Sequence, residues 1–576
     1  MTNRFKLKGL QLILGKSFLI LFLVTVFSAN AASPTLNPDV AKLALTCKVW
    51  GFLKYYHPVV AQGKVDWDKA LLKILPAIQN TKSPTELNAL GLYAIHSLGR
   101  VPYNSQDNKP KKSHFNRNFD LSWTDNVQLF TPPMVYVLNR IEKMHLVQTP
   151  YYAGDWSQQR HIFFREKTDS SLMYPDENRR LLDLFRVWNV VEYYYPNKYL
   201  TDKPWDMVLL EMIPKFQYAS DTMGYHLTLK EFCTRLDDTR ATLSSPYLWK
   251  YFGGRLPACQ ATLIESQLVI TSHHDQEKSN NDDLRIGDVI TAIDGVTVDS
   301  LMARNLRYIS AGNSSGERFW FNRWLLLGSN DSMKISFQRK GQPKAEKIIR
   351  RYTFEELFPT QDVPDVKKGV KIISGQYGLV ESNDAFLPEN AGVTLDQLKG
   401  TKALIFDLRF PASSAWYAMN YLLAKRTPYA NELDPDFENP GKFIWQRGPL
   451  KCGGNWIGSE EYYPGEVVVL VGETTGNFNE YVGMMLKAYS KCTVIGSQTD
   501  GSQGNLMAVP FLSGVNLYMP TEAVFYPDSS ETQRIGIVPD IYVEATIEGI
   551  RNGEDEILNA AIAFLNKKCA QETPRD

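Results

Sequence analysis

The stretch from residue 467 to residue 495 constrains the fold of this 576-residue chain more than any other. Residues 467–471 form an uninterrupted apolar run, which is typical of a strand buried on both faces. A glycine-containing turn follows, and apolar residues then recur at helical spacing over 481–486 before a second apolar run at 492–495. This order predicts two parallel strands joined through a sharp turn and a helix. The turn places Asn477 at the helix start, beside backbone N–H groups that have no partner within the helix.

The same alternation extends over the C-terminal part of the chain. Apolar runs at 378–380 and 403–409 precede the segment above, and helical patterns separate the runs. Such alternation indicates a largely parallel sheet covered on both faces, so we predict an α/β core over residues 368–568. Asp407 and Arg409, at the end of one run, are expected to form structural hydrogen bonds. The length of the chain predicts three or four domains.

The composition is that of a globular protein, with 44% hydrophobic and 22% charged residues. Lysine and arginine total 63, and aspartate and glutamate also total 63, which argues against nucleic acid as a partner. Six cysteines are scattered without the spacing of a metal site, and nothing indicates a metal or another cofactor. The cysteines are as compatible with unpaired core residues as with disulfides.

The N-terminus has the pattern of an export signal. Basic residues precede an apolar run at 17–27, and the small residues of 28–31 follow at the spacing of signal-peptidase cleavage. The apolar run is too short for a comfortable permanent span, and no later stretch approaches membrane-spanning length. We therefore predict a signal peptide over residues 1–32. The mature protein is expected to be exported, periplasmic or secreted, with no stable membrane span.

An internal repeat follows the predicted signal peptide. Residues 49–76 and 187–214 align without a gap, and ten of the 28 positions are identical. The apolar spacing predicts helices, each stopped by a proline, with Pro76 and Pro214 as the terminal ones. His57 matches a tyrosine in the second copy, which favours packing over catalysis. We predict a duplicated helical region over residues 33–250, with a polar, irregular excursion near 105–170.

Residues 251–350 belong to a different unit. Apolar residues alternate over 261–270, which predicts strands. The segment 284–295 contains a Leu-Arg-Ile-Gly-Asp turn and an Asp-Gly hairpin, and this combination resembles the core of a PDZ domain. PDZ domains bind extended peptides, often chain ends, by adding a strand to a sheet edge.

Together these segments resemble the tail-specific, or carboxy-terminal-processing, family of serine peptidases. The nearer match is the tricorn-like branch, which carries a helical region and a PDZ domain before the catalytic core. The resemblance is carried by residues 174–178, 237–239, 284–295, 406–409, 473–480, 496–499 and 536–540. It implies a multidomain α/β fold: a duplicated helical region, a PDZ-like β domain and an α/β peptidase core. It also implies serine-type proteolysis of polypeptides.

The positions that carry the chemistry in this family hold other residues here. The family's serine lies three residues before a glutamate at the start of the elbow helix, and counting back from Glu480 gives Asn477. The histidine of the tricorn-like branch maps to Arg240 and its glutamate to Gln533, while the lysine of the Ser-Lys branch maps to Ser502. An amide cannot attack as an activated hydroxyl does, and arginine stays protonated. The resemblance therefore implies a catalytic site whose working groups are substituted.

Other groups at the turn leave more than one function open. Thr475 is a candidate substitute nucleophile, although turn hydroxyls usually bond the local backbone. The backbone of Gly476 and Phe478 offers donors for an oxyanion-type pocket, and Glu480 is expected to cap or anchor the elbow helix through the dipole at its N-terminus. We predict a catalytically degenerate protein that binds peptides or unfolded polypeptide tails. The alternatives are an active endopeptidase with a rearranged site and a structural scaffold, and the oligomeric state stays open.

Overall fold

The structure is a computed structural model, and it describes residues 37–99, 114–143, 150–155, 162–358, 370–380, 385–387, 390–410, 413–454 and 462–572. The predicted signal peptide lies outside these residues. Within them, no helix combines the length and the apolar character needed to cross a membrane. Helices and several sheets alternate along the chain, which confirms the predicted multidomain α/β class.

Helices dominate the first 250 residues and recur between the strands that follow. In chain order the helices of the described residues are α1 (Pro38–Tyr56), α2 (Pro58–Ala61), α3 (Trp67–Asn80), α4 (Pro84–Ser97), α5 (Pro132–Lys143), α6 (Glu177–Tyr194), α7 (Trp205–Gln217), α8 (Thr222–Thr234), α9 (Pro246–Phe252), α10 (Gln276–Asn281), α11 (Val298–Asn305), α12 (Ser314–Trp324), α13 (Phe354–Leu357), α14 (Ala391–Leu398), α15 (Met419–Leu422), α16 (Phe478–Lys487), α17 (Ile547–Asn552) and α18 (Glu556–Glu572).

Most strands lie in the second half of the chain. They are β1 (His114–Phe115), β2 (Ala153–Asp155), β3 (Ile162–Phe164), β4 (Thr242–Ser244), β5 (Leu256–Pro257), β6 (Cys259–Ile264), β7 (Gln267–His273), β8 (Val289–Ile293), β9 (Val296–Thr297), β10 (Ser332–Gln338), β11 (Ala345–Tyr352), β12 (Val370–Ile373), β13 (Tyr377–Val380), β14 (Ala403–Asp407), β15 (Thr427–Pro435), β16 (Phe443–Trp445), β17 (Leu450–Cys452), β18 (Glu466–Val471), β19 (Cys492–Gly496), β20 (Leu506–Pro510), β21 (Asn516–Pro520), β22 (Ala523–Phe525) and β23 (Ile541–Tyr542).

Reciprocal tryptophan bonds join the first two long helices of each repeat copy. The indole N–H of Trp50 donates to the carbonyl of Trp67 at 3.2 Å, and that of Trp67 donates back at 3.0 Å. Trp188 and Trp205 form the same pair at 3.0 and 3.1 Å. All four side chains are buried. The repeated tryptophans therefore have a packing role, tying α1 to α3 and α6 to α7.

The prolines at the ends of the two repeat copies do not stop their helices, so that prediction is wrong. Pro76 lies inside α3, which continues to Asn80, and Pro214 lies inside α7, which continues to Gln217. A proline in the last turn removes one backbone donor, and few residues follow it. The cost is small enough for both helices to run to their capped ends.

A third helix completes each copy. The alignment register that pairs Trp67 with Trp205 also pairs the N-cap residues of α4 and α8. Ser83 accepts a backbone N–H in α4 at 3.2 Å, and Asp221 accepts one in α8 at 2.8 Å. The repeated unit is thus a three-helix element, longer than the identical residues indicated.

The excursion predicted near 105–170 contains regular structure where it is described. Its helix α5 buries Met134, Leu138 and Ile141 in the same core as the repeat. These residues recur every three or four positions, which is helical spacing. Polar neighbours concealed this pattern, so the irregular interpretation is wrong for α5.

A seven-stranded sheet forms the middle unit. Its order is β5-β11-β10-β8-β7-β6, and β9 pairs with β8. Asp294 and Gly295, both at positive φ, make the two-residue turn between β8 and β9, as the Asp-Gly signal predicts. Strand β6 lies at the edge with α12 beside it, and the N–H of Leu263 donates to Asn322 Oδ1 at 2.8 Å.

A six-stranded sheet of order β12-β13-β14-β18-β19-β23 forms the C-terminal core. Strands β12 and β13 are antiparallel, and every other neighbouring pair is parallel. Val467 and Val469 of β18 pack in one cluster with Leu486 of α16. Val468 packs on the opposite face in a cluster with Leu565 of α18. Because both faces are covered, β18 is apolar at every central position.

The N-terminal helices and the C-terminal part of the chain share a core. Strand β4 pairs with β21, and one hydrophobic cluster contains side chains from both regions. The buried carboxylate of Asp183 on α6 accepts the hydroxyl of Tyr225 and the N–H of Leu512, each at 2.6 Å. The predicted boundary near residue 250 is therefore crossed by extensive packing.

Candidate active site

Asn477 lies between β18 and α16 in a strained backbone conformation. Its φ is 55° and its ψ is −119°, the mirror image of an extended residue, which a side chain with a Cβ rarely adopts. The side chain is exposed and makes no cap hydrogen bond. A sharp strand-to-helix elbow of this kind presents a nucleophile in hydrolases. Here it presents an amide.

The turn before Asn477 is tied to the end of β14. The Thr475 hydroxyl donates to the carbonyl of Leu408 at 2.9 Å and accepts the N–H of Gly472 at 3.1 Å. Asn479 donates to the same carbonyl at 3.1 Å. Thr475 is fully buried, and both hydrogen bonds hold its hydroxyl inside the protein. This geometry fits a packing role and does not favour Thr475 as a nucleophile.

Arg409, after β14, forms a structural network as expected. Its guanidinium donates to both carboxylate oxygens of Asp407, at 2.9 and 2.6 Å, and to Asp555, at 2.9 and 2.7 Å. These bonds fix the loop that follows β14 against the start of α18.

Glu480 does not cap the elbow helix, which was one of the two roles expected of it. Its buried carboxylate accepts the N–H of Gly501 at 3.0 Å, the N–H of Ser502 at 3.1 Å, and the hydroxyl of Thr499. Burial raises the pKa of Glu480 to about 7, against the opposing effect of these hydrogen bonds. The side chain thus anchors the 499–502 turn beneath the elbow.

Gly536, the first residue of the 536–540 segment, packs against the Glu480 carboxylate. A Cβ on Gly536 would lie 2.6 Å from Glu480 Oε1, and its φ is 61°. Any side chain at this position would displace Glu480 or Thr499. Three sequence segments that are distant along the chain therefore meet around one buried glutamate.

Asp500 is a site residue that the sequence reasoning missed. A Cβ on Gly476 would lie 2.9 Å from Asp500 Oδ2, so this carboxylate touches the elbow backbone. Oδ2 accepts the Ser502 hydroxyl at 2.9 Å, and Oδ1 is buried without a hydrogen-bond partner among the described residues. Burial and the neighbouring Glu480 raise the pKa of Asp500 well above its usual range. Its place directly after the 496–499 motif was the available signal.

Arg240 and Gln533 meet around Asp238. The backbone N–H of Arg240 donates to Asp238 Oδ1 at 2.8 Å, and the side-chain amide of Gln533 donates to Oδ2 at 2.9 Å. The Tyr195 hydroxyl adds a third bond at 3.1 Å, and the Arg240 guanidinium donates to the carbonyl of Gly504. The two predicted base positions thus share one buried carboxylate. A glutamate at position 533 would be repelled by it.

The charge of Arg240 acts on Glu480, in the first turn of the elbow helix. Burial raises the pKa of Glu480, and the nearby Arg240 guanidinium opposes that shift. Burial also lowers the pKa of Arg240 itself. Asn477 makes no hydrogen bond to Arg240 or Gln533 in the described part of the chain. The predicted positions therefore share one region without forming a hydrogen-bonded relay.

The first turn of α16 retains free backbone donors. Asn479 and Glu480 donate their N–H groups to the carbonyls of Gly476 and Asn477, at 3.2 and 3.1 Å. The N–H groups of Asn477 and Phe478 donate to no described residue. Such donors at a helix start can bind a carbonyl or carboxylate oxygen.

The elbow loop also contacts α12. Glu473 accepts hydrogen bonds from Asn322 at 2.7 Å and from Arg318 at 2.9 Å. Asn322 is also the residue whose amide oxygen bonds Leu263 on the edge strand β6. One side chain therefore joins the sheet edge of the middle unit to the elbow.

Residues 385–543 match the sequence model of Peptidase family S41. Among curated proteins, none matches the sequence. Mature CPAF aligns with 69% of this chain and 99% of its own, with a TM-score of 0.52 and 13% identity. Mature CPAF complexed with lactacystin aligns with 68% of this chain and 99% of its own, with a TM-score of 0.51 and 12% identity. The photosystem II D1 C-terminal processing protease aligns with 64% of this chain and 93% of its own, with a TM-score of 0.39 and 17% identity. The likeness to CPAF shows a shared fold.

Proposed function

Because residues 385–543 belong to peptidase family S41, we propose an exported member that has lost serine catalysis and binds peptides or polypeptide tails. The observation that carries the proposal is Asn477 at the place of the nucleophile, on an elbow whose strained backbone is intact. The leader-like pattern at 1–32 supports export to the periplasm or beyond the cell.

The chemistry around the elbow supports the loss of catalysis. An amide has no hydroxyl to attack a carbonyl, and the Arg240 guanidinium cannot take up a proton. The Gln533 amide is committed to Asp238. Each group that a peptidase needs is therefore replaced by one that hydrogen-bonds but does not transfer a proton.

Two surfaces support peptide binding. The N–H groups of Asn477 and Phe478 are free for a peptide carbonyl or a terminal carboxylate. The second surface is the edge of β6, in the unit that resembles a PDZ domain. Because the Leu263 N–H points outward to Asn322, the Ala261 N–H, two residues earlier, points to the same side. An extended peptide can add there as a further strand.

A rearranged active site is the second candidate function. The Ser502 hydroxyl donates to Asp500 beside the elbow, which is a hydroxyl–carboxylate pair. Ser502 is only 1% exposed, so a substrate cannot reach it without opening the turn. This candidate therefore ranks below the binding function.

The test uses the chain without residues 1–32. We expect no cleavage of unfolded casein and no labelling by a fluorophosphonate, while peptide tails bind with a Kd of about 1–100 µM, or roughly −8 to −5.5 kcal/mol, by calorimetry. Asn477→Ser restores a hydroxyl without a base, and it too is expected to be inactive. Cleavage that Asn477→Ala or Ser502→Ala abolishes would establish an enzyme.

Peptide binding at the edge of β6 is tested with a separate variant. Ala261→Pro removes an outward donor on an edge strand, where proline is tolerated, and is expected to abolish peptide binding. The melting temperature serves as the folding control. A well-folded parent chain that binds no peptide tail would leave only the scaffold alternative.

A further inference from the structure

A cavity of about 500 Å³ opens in the first copy of the helical repeat. It lies between α1, α3 and α4, with Phe130 and Met134 at one side. Its walls are mostly apolar and include the rings of Trp50 and Trp67. Small-molecule sites commonly have volumes of about 300–1,000 Å³. None of its lining residues belongs to the elbow site.

Larger side chains occupy the equivalent space in the second copy. In the register that pairs Trp67 with Trp205, Ala94 of α4 corresponds to Phe232 of α8. The Phe232 ring is buried, and its centroid lies 5.7 Å from that of Trp205 and 5.9 Å from that of Phe216. The first copy therefore lacks a whole phenyl ring at this point.

A second replacement enlarges the gap. Gly91 corresponds to Leu229, which is fully buried. A Cβ on Gly91 would point into the cavity and lie 3.1 Å from Met134 Cε. Both replacements shorten side chains on the same face of α4. Since an emptied apolar core is normally costly, their coincidence on one face favours a site shaped for a ligand.

One cation stands at the cavity wall. Lys73 is the only charged residue among those that line it, and its side chain is exposed. It forms no ion pair with any residue that the structure describes. The corresponding residue in the second copy is Glu211, which is neutralised by Lys215 and Arg235. The first copy therefore has an apolar cavity with a positive charge at its wall that no described acidic residue neutralises.

We infer that this cavity binds an aliphatic chain with an anionic head group, namely a long-chain fatty acid. The hydrocarbon chain lies along the apolar walls, and the carboxylate pairs with Lys73. Apolar burial supplies the affinity, and the ammonium group selects an acid over a neutral lipid. This site is independent of the peptide-binding function.

The test measures displacement of cis-parinaric acid from the chain without residues 1–32, using palmitate and hexadecanol. Ala94→Phe introduces the residue of the second copy and is expected to weaken both ligands at least tenfold. Lys73→Gln is expected to weaken palmitate about tenfold and hexadecanol less than twofold. Ala89→Phe, the same change at an exposed position of α4, is the matched control and should bind as the parent does.

Two outcomes overturn the inference. One is the absence of saturable binding by the parent chain, and the other is equal palmitate affinity in the parent and Ala94→Phe. If Ala94→Phe does not fold, the Lys73→Gln comparison decides, because it changes only an exposed side chain. Equal effects of Lys73→Gln on palmitate and hexadecanol would then reject the site.

Discussion

At Asn477 the backbone keeps φ 55° and ψ −119° although no cap hydrogen bond from the side chain accounts for it. Residues in such conformations cost about 1–3 kcal/mol and persist only where their surroundings impose them. Here the surroundings are the buried Thr475 hydrogen bonds and the contact between Gly476 and Asp500. The strain therefore belongs to the frame of the turn rather than to the side chain at its tip.

Asn477→Gly tests this strain, with Asn477→Ala as the matched control. Glycine adopts the mirror-image region freely, whereas alanine keeps the Cβ that makes it costly. We expect the glycine variant to be more stable than the alanine variant by about 1 kcal/mol in urea denaturation. Equal midpoints and slopes for the two variants would show that the elbow stores no strain.

Glu480 makes the stability depend on pH. Burial raises its pKa from an ordinary 4.5 to about 7, so the folded chain binds this proton more tightly than the unfolded chain. Stability from this group is fully present below about pH 4.5 and is lost as the pH rises to about 7. Glu480→Gln is expected to flatten the melting-temperature profile across that window.

The control for this profile is Glu355→Gln, on an exposed surface, which should leave it unchanged. Parallel profiles for the parent and Glu480→Gln would contradict the assignment. Asp500 and Arg240 both lie beside the Glu480 carboxylate, so part of the change of melting temperature with pH is expected to remain in Glu480→Gln.

Counting along the sequence located Asn477, Arg240 and Gln533, but not what surrounds them. The Gln533–Asp238 bond joins residues separated by 295 positions, and no local pattern encodes such a contact. Asp500 was missed for a similar reason. Its importance comes from the close approach of Gly476, which only the folded chain reveals.

At the scale of elements, periodicity predicted the long helices and the buried strands because those signals are local. The extension of the repeat to a third helix was not predicted, because α4 and α8 differ at the positions that face their cores, as Ala94 and Phe232 do. The sheet that contains β15, β16 and β17 was also not predicted. Its short strands pair across long connections, and the burial of alternate residues is weak in them.

The reciprocal tryptophan bonds predict a clear loss on substitution. Trp188→Phe keeps an aromatic ring but removes the indole N–H that donates to the buried carbonyl of Trp205. We expect a loss of about 1–3 kcal/mol of unfolding free energy, measured by urea denaturation. Trp249→Phe, at a side chain that is 62% exposed, is the control and should change stability little. Equal effects of the two changes would count against the tie between α6 and α7.

At the scale of the whole molecule, all six cysteines lie in the described residues and none of them forms a disulfide, while four are buried. Burial raises the pKa of the Cys259 thiol to about 12 and that of Cys452 to about 11, so neither reacts readily at neutral pH. The shared core, rather than disulfides, therefore stabilises the chain.

Thiol titration checks this conclusion. In denaturant without reductant, the protein is expected to show six free thiols. The native protein should react slowly and incompletely, and its melting temperature should not change when reductant is added. A count of four or fewer thiols in the denatured sample would instead reveal a disulfide.

The hydrogen bond between Asp183 and Leu512 spans 329 residues, and it has a consequence for the order of folding. Synthesis proceeds from the N-terminus, so the helices of the repeat are made long before Leu512 and before β21, the partner of β4. Until then one oxygen of a buried carboxylate lacks its donor, and the shared core lacks the buried side chains that residues 509–519 contribute. This core is therefore complete only when the chain is nearly full length. An incomplete core of this kind suits the export that we propose, because a polypeptide passes through a narrow export channel before it has folded.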